Sequence, residues 1–361
     1  MVLCSRLKCD LATRVLKCRG DHGEAEQVIA GMLTPNAKTL LACSGIAALS
    51  ASLIAALHVF LPSVHSDFSV LWTAIKILQS GRNPYEVIGA STGFDYEFHH
   101  PLTSAIAVSP LALLPEQIAD VVFVFAASFL FAFGALRDDW NRIWIFMSAA
   151  FVDNVKTGQL APLIASVYYL PSAAILLPVK PSIGASLLFS SWTTARLAFL
   201  SGLSLLIISL VVFPDWISEW IRTTAHSWEY TSPIRRSGGF ILVLSLLRWR
   251  TKEGKFLFLL SLIPQVSGWY EALLPMLVGR TKREYQVLSM VSSIGYLMVL
   301  FLALQVPERQ LPAADIGRLM IAFCYLPALI VVLRRPTEDR WPVLSNWFRF
   351  YRPSNPARSL P

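Results

Sequence analysis

Repeated apolar runs of about a bilayer's width constrain this chain more than any other feature. Residues 39–64 and 118–136 form the first two, and 197–213, 284–304 and 315–333 form three more. A helix crossing the hydrocarbon core needs about 20 predominantly apolar residues. Charged residues make up 15% of the 361 and mean hydropathy is +0.54, whereas soluble chains carry about 25% charge. The expected fold class is all-α, a polytopic integral membrane protein of one domain. Several apolar stretches fall short of 20 residues, so broken, half-length or tilted helices are expected among the full spans.

The net charge of +8 follows the positive-inside rule. With no aromatic-basic interleave, a nucleic-acid partner is not expected. Residues 1–38 read as a basic cytoplasmic tail, not a cleaved signal peptide, because no long apolar core precedes Thr39. Residues 39–334 form the membrane domain, and 335–361 a second basic tail, also cytoplasmic. The span at 39–61 runs outward, 67–116 is a first outer loop, and 118–136 returns. Residues 143–152 form a short outward helix. Residues 160–193, broken by Pro162, Pro171, Pro178 and Pro181, allow one crossing plus a folded-back piece. Non-helical backbone at membrane depth belongs inside protein or beside water, so this piece should line a cavity. Residues 214–238 form a second outer loop, and 256–278 a short hairpin. On this topology 22 of the 31 lysines and arginines lie inside and seven outside. The location expected is the cytoplasmic membrane. Cys4, Cys9, Cys18, Cys43 and Cys324 show no CxxC pair, and disulfides are not expected.

Asp67 stands where the first span leaves the bilayer. Behind it, Val70, Leu71, Ala74, Ile75 and Leu78 recur at helical spacing over 68–80, and Gly81-Arg82-Asn83-Pro84-Tyr85 stops that helix. An acid at the outer mouth of a span, followed by an interfacial helix, makes a candidate site. Asp67 serves equally as N-cap of that helix or as a catalytic base.

Asp67-Phe68, Leu71-Trp72-Thr73-Ala74, Gly81, Asn83-Pro84-Tyr85, Phe94, Tyr96, Pro101 and 110–115 together resemble glycosyltransferase family 87, the polyprenol-phosphate-mannose-dependent mannosyltransferases of the GT-C superfamily. Further similarity lies at Gly158-Gln159, Lys180-Pro181, 212–216 and 264–275, the last with Trp269. The family usually carries Tyr-Pro-Pro where this chain has Phe98-His99-His100-Pro101. Tyr270-Glu271 replaces its histidine, and the region from Gln159 to Arg196 is shorter by about a helical hairpin.

The resemblance implies inverting transfer of a hexose, mannose foremost, from a polyprenyl-phosphate donor to a hydroxyl of a lipid-linked glycan or glycolipid. The reaction would take place outside the cytoplasmic membrane, without metal or other cofactor, with Asp67 as general base. The leaving lipid phosphate needs nearby positive charge, and the candidates are Lys180, Arg82, Lys156, Arg235, Arg236 and His226. Lys180, in an apolar stretch, must face a polar cavity or snorkel. Arg235-Arg236 also reads as an ordinary solvated pair. Candidates for sugar or acceptor contact are Gln159, Tyr85, Glu97, His99, His100, Trp269 and Glu271. Asp95 and Glu97 read as acceptor-binding or simply solvated, and His65 as a group that tunes Asp67. The sequence leaves oligomeric state open. The shortened middle and missing histidine support a second reading, a non-catalytic relative that binds or moves lipid in an envelope pathway.

Overall fold

A computed structural model describes residues 37–61, 65–89, 97–188, 192–225, 230–266, 268–306 and 311–335. Its α-helices of more than four residues are, in order, α1 (Ala37–Phe60), α2 (Asp67–Gln79), α3 (Leu102–Val108), α4 (Glu116–Asp138), α5 (Ala149–Lys156) and α6 (Ala161–Tyr169). They continue as α7 (Trp192–Val212), α8 (Trp216–Ala225), α9 (Lys252–Leu262), α10 (Lys282–Ala303) and α11 (Ala313–Arg334, with a π turn at Ile321–Tyr325). Pro327 lacks the N–H that an α-helix would direct at Phe323, and the π turn falls at that point. Strand content among the described residues is one two-residue antiparallel pair, Tyr230–Thr231 against Gln265–Val266. The protein is an all-α polytopic membrane protein.

Among the described residues five helices, α1, α4, α7, α10 and α11, are long and apolar enough to cross a bilayer. Their burial separates two roles. The apolar window of α7 is only 11% buried, with Phe199, Ile207 and Val211 exposed, whereas that of α4 is 56% buried. Rows of exposed large side chains suit α7 to lipid, and α4 is the central post. Helix α1 packs along α4, and α7 packs on the 3₁₀ segment Pro171–Val179.

Among the described residues of 160–193, no single helix is long enough to cross a bilayer. They form α6, the 3₁₀ segment Pro171–Val179 and a turn of helix at Pro181–Gly184. A nine-residue α-helix is about 14 Å long, too short to span. Each break falls at a proline, where the missing N–H and the ring stop the helix. Thr103 and Ser104 of α3 donate to the carbonyls of Pro178 and Val179. These bonds satisfy part of the irregular backbone and fix Lys180, the next residue.

Helix α2 is enclosed by protein. Phe68, Val70, Leu71, Ala74, Ile75 and Ile77 are buried, and the Phe68 ring stacks on Phe123 of α4 with centroids 4.6 Å apart. Trp72 Nε1 donates to Leu114 O at 3.1 Å, tying α2 to the proline-bounded segment before α4. The two loops expected outside also meet, since Trp220 Nε1 of α8 donates to His99 O at 2.9 Å.

The ends of the bundle differ in charge. Arg248 donates to Leu333 O and Arg335 O, Arg335 pairs with Glu253 and Glu284, and Arg280 pairs with Glu253. Arg280 and Glu253 gather at one end with Asp138 and Arg142.

Candidate active site

Asp67 opens α2 but does not cap it. Ser66, in extended backbone, is the cap, and its Oγ accepts from Ser69 N at 3.0 Å. The Asp67 carboxylate is thereby spared the local hydrogen bond that competes for aspartates at helix starts. Its backbone N–H donates to Thr157 O at 2.9 Å, so the start of α2 is pinned to the turn carrying Gly158 and Gln159.

That turn needs glycine. Gly158 has φ +57°, and a Cβ there would stand 2.7 Å from Ser66 Cβ and 3.0 Å from Asp120 Oδ1. Gly158→Ala should therefore destabilise the protein by roughly 1–3 kcal/mol, read as a lowered thermal midpoint in detergent. Because Ser66 would be displaced, Asp67 would move with it.

Gln159 is 3% exposed. Its side chain lies beside the Asp67 carboxylate and accepts from Lys180 Nζ on its Oε1 at 3.3 Å. Asp67 and Lys180 feel each other's charge yet form no direct ion pair, because the amide stands between them. Both are half-buried. The Lys180 ammonium also lies 5.2 Å from the centre of the Tyr270 ring, a cation–π distance. Tyr270 is held through its carbonyl, which accepts from Asn154 Nδ2 at 2.8 Å.

The ionisation of Asp67 follows from this enclosure. Desolvation raises its pKa above the ordinary 3.8, Lys180 and the Gln159 side chain offset part of that, and Asp153 adds to it. His100 is pushed down to about 3, chiefly by burial and then by Lys180 and His99. It is neutral at physiological pH and can offer hydrogen bonds but no charge to a phosphate.

Neighbouring charges pair off. Lys156 Nζ lies 3.1 Å from Asp153 Oδ1, and both meet the Tyr296 hydroxyl, at 3.3 and 3.2 Å. Arg236, 7% exposed, donates to Glu271 at 3.1 Å and to Gln265 O at 3.0 Å; Glu271 is 0% exposed. Arg236 is thus committed to a carboxylate rather than held for a ligand, and Glu271 is not the open sugar contact its position suggested. Breaking such a pair leaves a buried charge uncompensated. Arg236→Ala should cost about 3–5 kcal/mol, and Arg236→Met with Glu271→Leu should recover most of it. Thermal denaturation of the two variants and the wild type checks this.

Several expected site residues lie elsewhere. Arg82 is exposed beyond the far end of α2, its Nε donating to Ser80 Oγ; the 13 residues of α2, about 20 Å of helix, lie between its site and the start at Asp67. Arg235 and Glu97 are exposed. Tyr85 supports the site, since its hydroxyl donates to His100 O at 3.1 Å and its ring lies against Phe98. Trp269 is buried, with its ring 6.1 Å from that of Tyr296. His65 stands 3.8 Å from Glu116, not beside Asp67. His226 and Asp95 lie outside the described residues.

Asp120, Asp153 and Asn154 escaped the sequence reading. Asp120 is 0% exposed within α4, 2.9 Å from His58 Nε2 and close to Ser66 at Gly158. An acid inside an apolar span is costly, which was the available signal. Among the described residues no group of three or more His, Cys, Asp or Glu is placed to hold a metal ion.

The arrangement sets one carboxylate against one ammonium across a shared amide, with the other charges of the cluster paired. No family model matches the chain, and no curated protein or solved structure matches it.

Proposed function

We propose that the protein is a membrane glycosyltransferase of the GT-C type. It moves a hexose, mannose in this reading, from a polyprenyl-phosphate donor to a hydroxyl of a lipid-linked or envelope glycan. The observation that carries the reading is the half-buried Asp67 held apart from Lys180 by Gln159. Transfer with inversion requires the acceptor oxygen to bond to the anomeric carbon as the bond from that carbon to the phosphate oxygen breaks. The acceptor's proton goes to the Asp67 carboxylate. The leaving phosphate gains a negative charge in the same step, and Lys180 is the cation positioned to stabilise it. Gln159 orients both groups.

The charge asymmetry of the bundle supports an extracytoplasmic site. The basic cluster around Arg137, Arg142, Arg248, Arg280 and Arg335 marks the cytoplasmic end by the positive-inside rule, and Asp67 lies toward the other. The membrane would be the cytoplasmic one.

Incubating purified protein with radiolabelled polyprenyl-phosphate mannose and membrane extract tests the reading. Label should pass to a lipid or glycan acceptor. Absence of any labelled product with every polyprenyl-phosphate hexose tried would remove the transferase reading.

The pairing of Glu271 with Arg236, where the resembled family has a histidine, favours a second reading. A non-catalytic relative would bind polyprenyl phosphate through Lys180 without turnover. Saturable lipid binding in the absence of transfer would select it.

A further inference from the structure

The end of the bundle remote from Asp67 holds a second polar cavity, of about 390 Å³. Its walls include Arg142, Tyr168, Tyr169, Lys252, Glu253 and Arg280. Helix α4 separates the two regions. Asp138 lines the cavity, whereas Asp120, beside Ser66 and Asp67, lies 18 residues earlier and about 27 Å away along the axis.

The carboxylates here are already matched. Glu253 accepts two hydrogen bonds of 2.8 Å from Arg280 and lies 3.3 Å from Arg335. Asp138 is bridged by Arg137 at 2.9 Å. Lys252 is not matched in this way, and Arg142 only by a long ion pair with Asp139 and by Tyr285. Arg142 donates to Ala135 O at 3.0 Å and lies 4.4 Å from the Tyr169 ring, and its Nε comes no closer than 3.8 Å to Asp139. Lys252 donates to Tyr168 O and sits 3.9 Å over the Tyr168 ring.

Three buried donors on residues of its lining have no acceptor within hydrogen-bond distance among the described residues: Arg142 Nε and the hydroxyls of Tyr168 and Tyr169. Tyr168 is only 6% exposed, and its hydroxyl lies within the field of Glu253, Tyr285, Arg335 and Arg280. Buried donors in folded proteins are nearly always satisfied. A cavity presenting an ammonium, a guanidinium edge and a phenol, with its carboxylates neutralised, is complementary to an oxyanion. Its level in the membrane is marked by Trp140 and Trp249, exposed beside it in sequence, as aromatic residues are at the headgroup layer.

We infer that this cavity binds a phosphate group, from the headgroup of an anionic phospholipid or from a soluble phosphate. The site is separate from the proposed transferase centre and stands or falls independently of it.

The test uses the full chain purified in non-ionic detergent. Thermal unfolding and native mass spectrometry are followed against inorganic phosphate, phosphatidylglycerol and phosphatidylcholine, with chloride at matched ionic strength. Phosphatidylglycerol or phosphate should raise the midpoint saturably. A response to phosphatidylglycerol alone identifies the headgroup as the source, and one to inorganic phosphate identifies a soluble ligand. Tyr168→Phe should weaken the apparent Kd by about tenfold, a charge-assisted hydrogen bond's worth, while leaving the unliganded midpoint unchanged or higher. Lys252→Gln should weaken binding at least as much, and Lys180→Gln should leave it unaltered. The inference is overturned if no phosphate-bearing probe exceeds chloride, or if Tyr168→Phe binds as the wild type does. Tyr168→Phe removes a single oxygen and keeps the test decisive should Lys252→Gln fail to fold.

Discussion

Asp67→Asn is expected to abolish sugar transfer while leaving the protein folded. Loss of a positioned general base lowers a rate by about 10²–10⁴-fold, and the amide keeps the shape and one hydrogen-bond acceptor of the carboxylate. The helix start would survive, because Ser66 rather than Asp67 caps α2. Stability sharpens the prediction. Burial raises the Asp67 pKa, so the folded state holds its proton more firmly than the unfolded state does. That contribution is fully present below the ordinary value of 3.8 and is lost as pH rises through the folded value. At neutral pH the ionised carboxylate costs stability, and Asp67→Asn should be no less stable than the wild type. Activity runs the opposite way. The base works only when ionised, so the wild-type rate should fall on acidification through a pKa above the ordinary carboxylate range. Undiminished transfer by a stable Asp67→Asn protein would remove Asp67 from the mechanism.

The fold was legible where the signal is local and one-dimensional. A bilayer imposes a length and a composition, and the five long helices answer to apolar runs visible in the sequence. The stop at Gly81 and the breaks at Pro171 and Pro181 are equally local. The path of residues 160–193 was not legible, since prolines show that a helix breaks but not where the chain then goes. The direction of that path depends on Thr103 and Ser104, some 75 residues earlier, receiving the backbone of Pro178 and Val179. The site divides along the same line. Asp67, Gln159 and Lys180 were each conspicuous as polar groups at membrane boundaries or in apolar surroundings. Glu271 stood in an apolar stretch and Arg236 in an outer loop, yet they neutralise each other across 35 residues. Sequence exposes a costly group but not its partner, so it cannot separate a residue held for a ligand from one held by a neighbour. Arg82 and Arg235 were misplaced for the converse reason, because a charge in a loop carries no signal of the direction it faces.

Lys180→Gln carries the other large expected effect and tests the opposed pair as a pair. Lys180 is not cancelled by a contacting carboxylate. Its ammonium is held by Gln159 Oε1 at 3.3 Å and by the face of Tyr270. In the proposed reaction the phosphate's added charge develops only as the bond to the sugar breaks, so the ammonium stabilises the transition state more than the bound donor. The substitution should lower kcat by about 10²–10³-fold with a smaller change in KM, whereas a residue that merely gripped the donor would raise KM alone. A second signature follows from electrostatics. Lys180 holds the Asp67 pKa below the level that desolvation alone would set. With the ammonium gone, that pKa rises further, and the acid limb of the residual activity should move to higher pH. A purely structural lysine would alter neither the split between kcat and KM nor the position of that limb. Lys180→Arg should rescue poorly, because a planar fork does not reproduce a point charge seated over one ring and on one amide oxygen. An acid limb that stays in place in Lys180→Gln, with kcat intact, would mean that the two groups do not act on one substrate.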